Sequence, residues 1–144
     1  MTREEYSAIY DAVGVAMEVH ATLGRGLAEP VYQEAYAIET RLRGMEVERE
    51  KVLHIHYKGV LMEKTYIADF YYKGVVIEFK AVDKVNSEHR AQLLNYMRIT
   101  GQSRGILFNF GERHLHTERY LYLSKSDKFV LLTKENYKLY IDDK

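Results

Sequence analysis

The chain has 144 residues, 21 Lys plus Arg against 21 Asp plus Glu, and 47% hydrophobic residues, which predicts one soluble domain spanning residues 1–144. Its zero net charge excludes a protein that coats nucleic acid or anionic membrane by bulk electrostatics, so any polyanion must bind at a local patch. The absence of cysteine excludes disulfides, thiolate zinc sites and cysteine nucleophiles. No apolar run approaches a membrane span and the acidic first residues are unlike a signal peptide, so we expect a cytoplasmic protein without a membrane partner.

Two helices are predicted in the first third of the chain. Residues 4–23 repeat apolar side chains at spacings of three and four, and the glycines at 24 and 26 end this pattern. Its predicted inner face consists of Tyr6, Ile9, Val13, Met17 and His20. A second helix begins at Glu29 and Pro30 and stops at Gly44, because proline suits the first turn and glycine the end of a helix. Its predicted inner face consists of Val31, Ala35, Ile38 and Leu42.

The middle of the chain predicts a three-stranded meander. Apolar and polar residues alternate there, and Lys-Gly pairs at 58–59 and 73–74 separate strands at 46–57, 60–72 and 75–82. Asn86 then caps a helix over 88–100, with Ala91, Leu94 and Met97 on one side. A buried strand follows at 105–109, and a C-terminal part contains strands at 115–123 and 129–133.

The second Lys-Gly turn sets the register of the hairpin that carries the candidate site. If its centre lies between residues 73 and 74, Asp69 and Glu78 face one another across the two strands, and Lys80 points to the same face. The opposite face is predicted to be core and consists of Ala68, Phe70, Ile77 and Phe79.

Two opposed carboxylates repel each other unless a cation lies between them, and a divalent metal with oxygen ligands is the usual partner. A neighbouring ammonium group suits hydrolysis, since it can stabilise developing negative charge and position the attacking water. A solvated surface ion pair among Asp69, Glu78 and Lys80 accounts for the same spacing, and spacing alone does not decide between the two.

The string of Asp69, eight residues and then Glu78-Phe79-Lys80 resembles the motif of the PD-(D/E)XK nuclease superfamily. The predicted order of helix, three-stranded meander, helix and strand is similar to the α/β core of that fold, here preceded by an N-terminal helix. Gly26, Glu29 and Tyr32 are spaced as in the GxxExxY protein family. The resemblance covers residues 9–120 and leaves about 121–144 as a C-terminal extension.

The resemblance implies roles for the residues around this motif. Asp69 and Glu78 would bind Mg²⁺ or Mn²⁺ together with the backbone carbonyl of Phe79, and Lys80 would be the catalytic lysine. Glu29 would match an additional acidic residue aimed at the metal or its waters. In the helix after the motif, Gln92 and Tyr96 resemble a QxxxY element that lines the active site, and their spacing of four places them on one side.

Four further residues are predicted to contact substrate: His20, Tyr32, His89 and Arg90. For His20 a hydrogen-bonded core position is equally open, and for His89 simple solvation of a helix start. Tyr32 is a candidate for base contact, although most of the 13 tyrosines should be structural. Arg90 belongs to a basic stretch, residues 80–104, that suits a phosphate backbone.

Paired histidines at 54 and 56, and at 114 and 116, each lack an identifiable third ligand. We therefore interpret both pairs as solvated strand faces rather than metal sites.

These observations favour a metal-dependent nuclease that hydrolyses phosphodiester bonds of DNA, with RNA as the less favoured substrate. The alternative is a catalytically inactive nuclease-fold module that binds nucleic acid or a protein partner. A homodimer is compatible with either hypothesis, because it would enlarge the DNA-contacting surface of a small protein.

Overall fold

The computed structural model describes residues 1–142, so residues 143 and 144 of the predicted C-terminal extension lie outside it. Its elements in chain order are α1 (Arg3–Leu23), α2 (Glu29–Leu42), β1 (Glu48–Tyr57), β2 (Val60–Tyr72), β3 (Val75–Lys80), α3 (Ser87–Thr100), β4 (Arg104–Asn109), β5 (His116–Leu123), β6 (Lys128–Leu132) and a 3₁₀ turn (Tyr137–Tyr140). The predicted α/β fold, with a helix before the core and strands after it, is confirmed.

The strands form one six-stranded sheet whose spatial order is the same as the chain order, β1 to β6. All neighbouring strands are antiparallel except β3 and β4, which are parallel and connected through α3. This connection follows from the geometry of strands, since two parallel neighbours need a crossover that a tight turn cannot supply. Every residue of β4 is buried, as expected for a central strand covered on both faces.

Two hydrophobic clusters flank the sheet. The larger cluster packs α1 and α2 against one face, and its rings include Tyr36, Phe70 and Phe79, with centroids 4.8 to 5.1 Å apart. The smaller cluster packs α3 on the other face, where Leu93 and Met97 are buried. One face of the sheet is therefore covered by α1 and α2, and the other face is covered by α3.

The predicted inner faces of the helices are partly wrong. Met17 of α1 is 59% exposed, and Val31, Ile38 and Leu42 of α2 are exposed as well. The buried side chains of α1 include Ala8, Ala12 and Ala16, whereas α2 buries Tyr32 and Tyr36.

The physical reason lies in the fit between the two helices. Alanines at spacings of four leave room on α1, and the ring of Tyr36 fills that room so closely that its hydroxyl donates to the carbonyl of Ala12 at 2.9 Å. An expectation that ranks residues by hydrophobicity alone misses such a contact, because a buried tyrosine is stable once its hydroxyl is hydrogen-bonded. In α3, Ala91 is likewise exposed and Leu93 takes the buried position.

The β1–β2 hairpin extends well beyond β3. β2 pairs with β3 only over Phe70 to Tyr72, whereas its pairing with β1 continues to Val60. Opposite Asp69, the chain of β1 carries Glu50 with a φ of 55°, between the regular pairs of Arg49 and Lys51.

One residue of the predicted core face is therefore misplaced. Phe70, Ile77 and Phe79 belong to the cluster under α1 and α2, as expected, but Ala68 belongs to the cluster under α3. Ala68 and Phe70 thus lie in clusters on opposite faces of the sheet although they are two residues apart, and Glu50 of β1, opposite the intervening Asp69, has a positive φ. Within residues 1–142, no helix combines the length and the apolar character needed to span a membrane.

Candidate active site

The candidate carboxylates stand where β2 and β3 separate. The backbone ladder pairs Tyr72 with Val75, Tyr71 with Val76 and Phe70 with Ile77, which is the register predicted from the Lys-Gly turn, and it ends there. Asp69 and Glu78 are the next residues of the two strands.

Beyond the ladder, side chains replace the missing backbone partners. The amide of Phe79 donates to Asp69 Oδ2 at 2.8 Å, and the amide of Asp69 donates to Glu78 Oε1 at 3.4 Å. Each carboxylate is thus tied to the opposite strand, so the two acids converge in the gap between the strands. Regular backbone pairing in this gap is not observed, which modifies the predicted direct cross-strand pair.

Burial and neighbouring charges make this an unusual place for carboxylates. Burial raises the pKa of Glu78 from 4.5 to about 8, Glu29 adds to the rise, and the amide of Asp69 and the charge of Lys80 oppose it. Burial also raises the pKa of Asp69, against the hydrogen bond from Phe79 and the charge of Lys80. Carboxyl groups with raised pKa values in a partly buried site are typical of functional positions.

Glu29 lies close enough to the pair to interact with it electrostatically. Burial raises its pKa, the charge of Asp69 raises it further, and Lys80 lowers it. The first turn of α2 positions this side chain, and Gln33 one turn later donates to Glu29 Oε2 at 3.2 Å. Three acids and one lysine from α2, β2 and β3 therefore meet at one end of the sheet.

Tyr66 is a site residue that the sequence-based prediction missed. Its hydroxyl donates a hydrogen bond to Glu78 Oε1. Its ring stacks on that of Tyr96 in α3, with the ring centroids 3.9 Å apart and the ring planes at 9° to each other. Tyr96 thus acts on Glu78 through Tyr66 rather than by direct contact, while Gln92 one turn earlier is exposed. The sequence signal nearest to Tyr66 is the motif itself, which begins three residues later at Asp69.

The donor set fits a small, hard divalent cation. Asp69 Oδ1 and Glu78 Oε2 accept no hydrogen bond from residues 1–142, so one oxygen of each carboxylate is available. The amide of Phe79 points toward Asp69, and because the N–H and C=O of a strand residue face the same edge, its carbonyl opens toward the same gap.

Among residues 1–142 no group of three or more His, Asp or Glu side chains is arranged to hold a metal ion. Two carboxylates and a carbonyl nevertheless suffice for Mg²⁺, which keeps several waters and is completed by substrate phosphate oxygens. The residues present therefore fit the metal that the resemblance implies.

Three of the residues predicted to contact substrate make hydrogen bonds to the backbone. Tyr32 is fully buried and its hydroxyl donates to the carbonyl of Gly24 at 2.6 Å and accepts from the amide of Leu27 at 3.2 Å. Because Tyr32 is fully buried and its hydroxyl both donates and accepts inside the chain, the structure places it as a support of the segment between α1 and α2.

The two histidines have similar structural partners. His20 is 8% exposed and its Nε2 is 2.9 Å from the carbonyl of Glu112. His89 is part of the capping box of α3, in which its Nδ1 accepts from the amide of Asn86 at 3.2 Å. His20 occupies the hydrogen-bonded core position considered from the sequence, whereas His89 takes part in a helix cap that was not foreseen. Neither side chain is hydrogen-bonded to the carboxylate pair.

Arg90, the fourth predicted contact, points across the α3 face of the sheet. Its guanidinium donates to both carboxylate oxygens of Glu118 at 2.7 to 2.9 Å. The guanidinium of Arg90 is therefore held against β5. It lies on the same face of the sheet as Glu78 but is not hydrogen-bonded to Glu78.

One of three comparisons with known proteins gave a match. A family model described as the PD-(D/E)XK nuclease superfamily matches residues 6–120, which include the whole candidate site. Neither the comparison with curated proteins nor the one with solved structures gave a match. The narrower resemblance to the GxxExxY family stays a prediction.

Proposed function

Since the chain belongs to the PD-(D/E)XK nuclease superfamily, we propose that it is a divalent-metal-dependent nuclease in which Asp69, Glu78 and Lys80 form the site that hydrolyses phosphodiester bonds of DNA. RNA is the less favoured of the two candidate substrates. The observation that supports this proposal is the convergence of Asp69 and Glu78 in the gap beyond the β2–β3 ladder. Two partly buried carboxylates in such a gap lower the stability of the metal-free protein, so their presence is easier to explain by function than by folding.

Asp69, Glu78 and the carbonyl of Phe79 would hold Mg²⁺ or Mn²⁺, which supplies an activated water and neutralises charge on the phosphate. Lys80 follows Glu78 by two residues on β3 and is partly exposed, so its ammonium reaches the same face. In that position it stabilises the additional negative charge of the transition state and orients the attacking water.

Glu29 and the α3 residues complete the pocket in this proposal. The carboxylate of Glu29 has its charge near Asp69 and Lys80, where it can accept hydrogen bonds from water bound at the site. Tyr96 supports Tyr66, and Tyr66 fixes the orientation of Glu78. Gln92 is exposed on the same helix and can donate to a substrate phosphate or base.

The test is a cleavage assay with single-stranded, duplex and branched DNA, and with RNA, in Mg²⁺ or Mn²⁺. Glu78→Gln and Lys80→Met should abolish cleavage, because the first removes a ligand charge and the second removes the ammonium. Glu4→Gln and Lys128→Met are matched controls on exposed positions of α1 and β6 and should cleave like the parent. Cleavage that persists in both site variants would disprove the assignment of the site.

Calorimetric titration with Mn²⁺ separates the proposal from the alternative of an inactive binding module. A nuclease site should show saturable binding that Asp69→Asn and Glu78→Gln remove, since each loses a carboxylate of the pair. A binding module has no need of the pair and should show no saturable metal site.

A further inference from the structure

A second polar cluster lies on the α3 face of the sheet, outside the carboxylate site. Its centre is Glu118 of β5, which is 5% exposed. Arg90 donates to both of its oxygens, His116 Nε2 lies 2.6 Å from Oε2, and the hydroxyl of Tyr120 donates to Oε1 at 2.5 Å. We call these four residues the Glu118 cluster.

The buried carboxylate of Glu118 holds the partly exposed guanidinium of Arg90 and imidazole of His116 in place. Burial by itself raises the pKa of Glu118, but the hydrogen bonds from Arg90, Tyr120 and His116 outweigh it and lower the pKa to about 2. Glu118 is therefore ionised, and both of its oxygens are already occupied by donors of the chain. Its role toward a ligand is therefore indirect, since it orients the side chains of Arg90 and His116.

Those partners do have free groups at the surface. The side chains of Arg90 and His116 are 39% and 35% exposed. Arg90 Nη1 and His116 Nδ1 make no hydrogen bond with residues 1–142. A guanidinium and an imidazole fixed side by side, each with a nitrogen left over, are suited to a phosphate group.

The sheet places the cluster in line with the carboxylate site. Lys80 of β3 pairs with Asn109 of β4, which pairs with His116 of β5, and in the next row Glu78, Leu107 and Glu118 pair in the same way. Residues paired in this way point to the same face of a sheet, and two strand spacings separate Lys80 from His116 by about 10 Å. Successive phosphates of one strand are ~3.4 Å apart along the axis of a duplex and further apart in an extended single strand, so this distance spans about one to three nucleotides.

We propose that Arg90 and His116, oriented by Glu118, form a phosphate-binding subsite that holds the nucleic-acid strand about one to three nucleotides from the scissile phosphate. This inference rests on the proposed nuclease function, because it uses the position of Lys80 as the place of cleavage. It adds a binding contact from β5 that the carboxylate site does not contain. The competing interpretation is a purely structural clasp between α3 and β5.

The test measures binding of a labelled single-stranded oligonucleotide to the Glu78→Gln protein, in which cleavage does not interfere, at several salt concentrations. Arg90→Gln and His116→Gln should each weaken binding several-fold. Arg90→Gln should also reduce the slope of log affinity against log salt by about 0.7, as expected for one lost phosphate contact with a single strand. Arg41→Gln is the matched control, because Arg41 is an exposed arginine of α2, which packs on the other face of the sheet, and its slope should stay unchanged.

A second pair of variants separates binding from folding. The double variant Arg90→Gln/Glu118→Gln leaves no unpaired buried charge, so it should retain a folded state by thermal unfolding and still lose the phosphate contact. Glu118→Gln alone keeps the charge of Arg90 but weakens the bidentate contact that orients its guanidinium. This variant should bind more weakly, with little change in the salt slope. A structural clasp instead predicts lower melting temperatures with unchanged affinity and slope, and that result would overturn the subsite.

The outcomes also separate this inference from the proposed function. If the wild-type protein cleaves DNA and Arg90→Gln binds like its parent, the subsite is wrong and the nuclease stands. If the wild-type protein cleaves nothing but binding depends on Arg90, the nuclease is wrong, and the phosphate contact stands without its distance from a cleavage site. If the Glu78→Gln parent binds no oligonucleotide at low salt, the subsite is overturned as well.

Discussion

Replacing Glu78 by glutamine should stabilise the protein in the absence of metal. Glutamine keeps an oxygen that can accept from Tyr66 and from the amide of Asp69, but it removes a carboxylate that burial keeps from ionising. The expectation is unusual, because substitution of a conservative isostere at a hydrogen-bonded position normally destabilises a protein.

The magnitude follows from the pKa of Glu78, which rises from 4.5 to about 8. Between these values the folded protein keeps the proton and the unfolded chain releases it, so folding becomes less favourable by ~1.4 kcal/mol for each pH unit. At about pH 7 the carboxyl therefore costs ~3 kcal/mol, and its replacement should raise the melting temperature by roughly 10 °C. Below the unfolded pKa of 4.5 both states hold the proton, so the gain should disappear there.

The assay is thermal unfolding, followed by circular dichroism in EDTA, at a series of pH values on both sides of the unfolded pKa. Glu63→Gln is the matched control, since Glu63 is an exposed glutamate of β2 and its replacement should give no such pH dependence. Adding Mn²⁺ should stabilise the wild-type protein and leave Glu78→Gln unchanged. A Glu78→Gln protein that is less stable than the wild type at neutral pH in EDTA would refute the reasoning.

Two other substitutions test the surroundings of the site. Tyr66→Phe removes the hydroxyl that orients Glu78, and by analogy with other partners of metal ligands we expect a 10- to 100-fold loss of Mn²⁺ affinity by calorimetry; unchanged affinity would contradict the role. Gly111→Ala would place a Cβ 2.2 Å from the backbone carbonyl of Val82, so the melting temperature should fall steeply. Gly14→Ala meets only a flexible arginine end at 3.3 Å and, as the control, should be neutral or stabilising because alanine favours a helix.

The order and the ends of the elements could be read from the sequence, because they depend on local signals. Lys-Gly turns, an Asn86 cap and glycines after the helices act over a few residues. The hairpin register could also be derived, since the turn between residues 73 and 74 determines which residues of β2 and β3 pair.

The inner faces of the helices could not be derived in the same way. Whether Tyr36 or Ile38 is buried in α2 depends on the alanines of α1 that it meets, and the sequence does not say which helix faces which. The same holds for Tyr66, whose role requires Glu78 from another strand and Tyr96 from a helix 30 residues away in sequence. Long-range contacts of polar atoms carry little local signal.

The gap between β2 and β3 also makes two amide hydrogens into reporters. The amides of Asp69 and Phe79 are protected by side chains rather than by a ladder, so their exchange with solvent follows the state of the carboxylates. A cation that draws the carboxylates toward itself should change the exchange rates of these two amides while those of the neighbouring β3–β4 ladder stay slow. Occupancy of the site can thus be followed in a protein that is not turning over substrate.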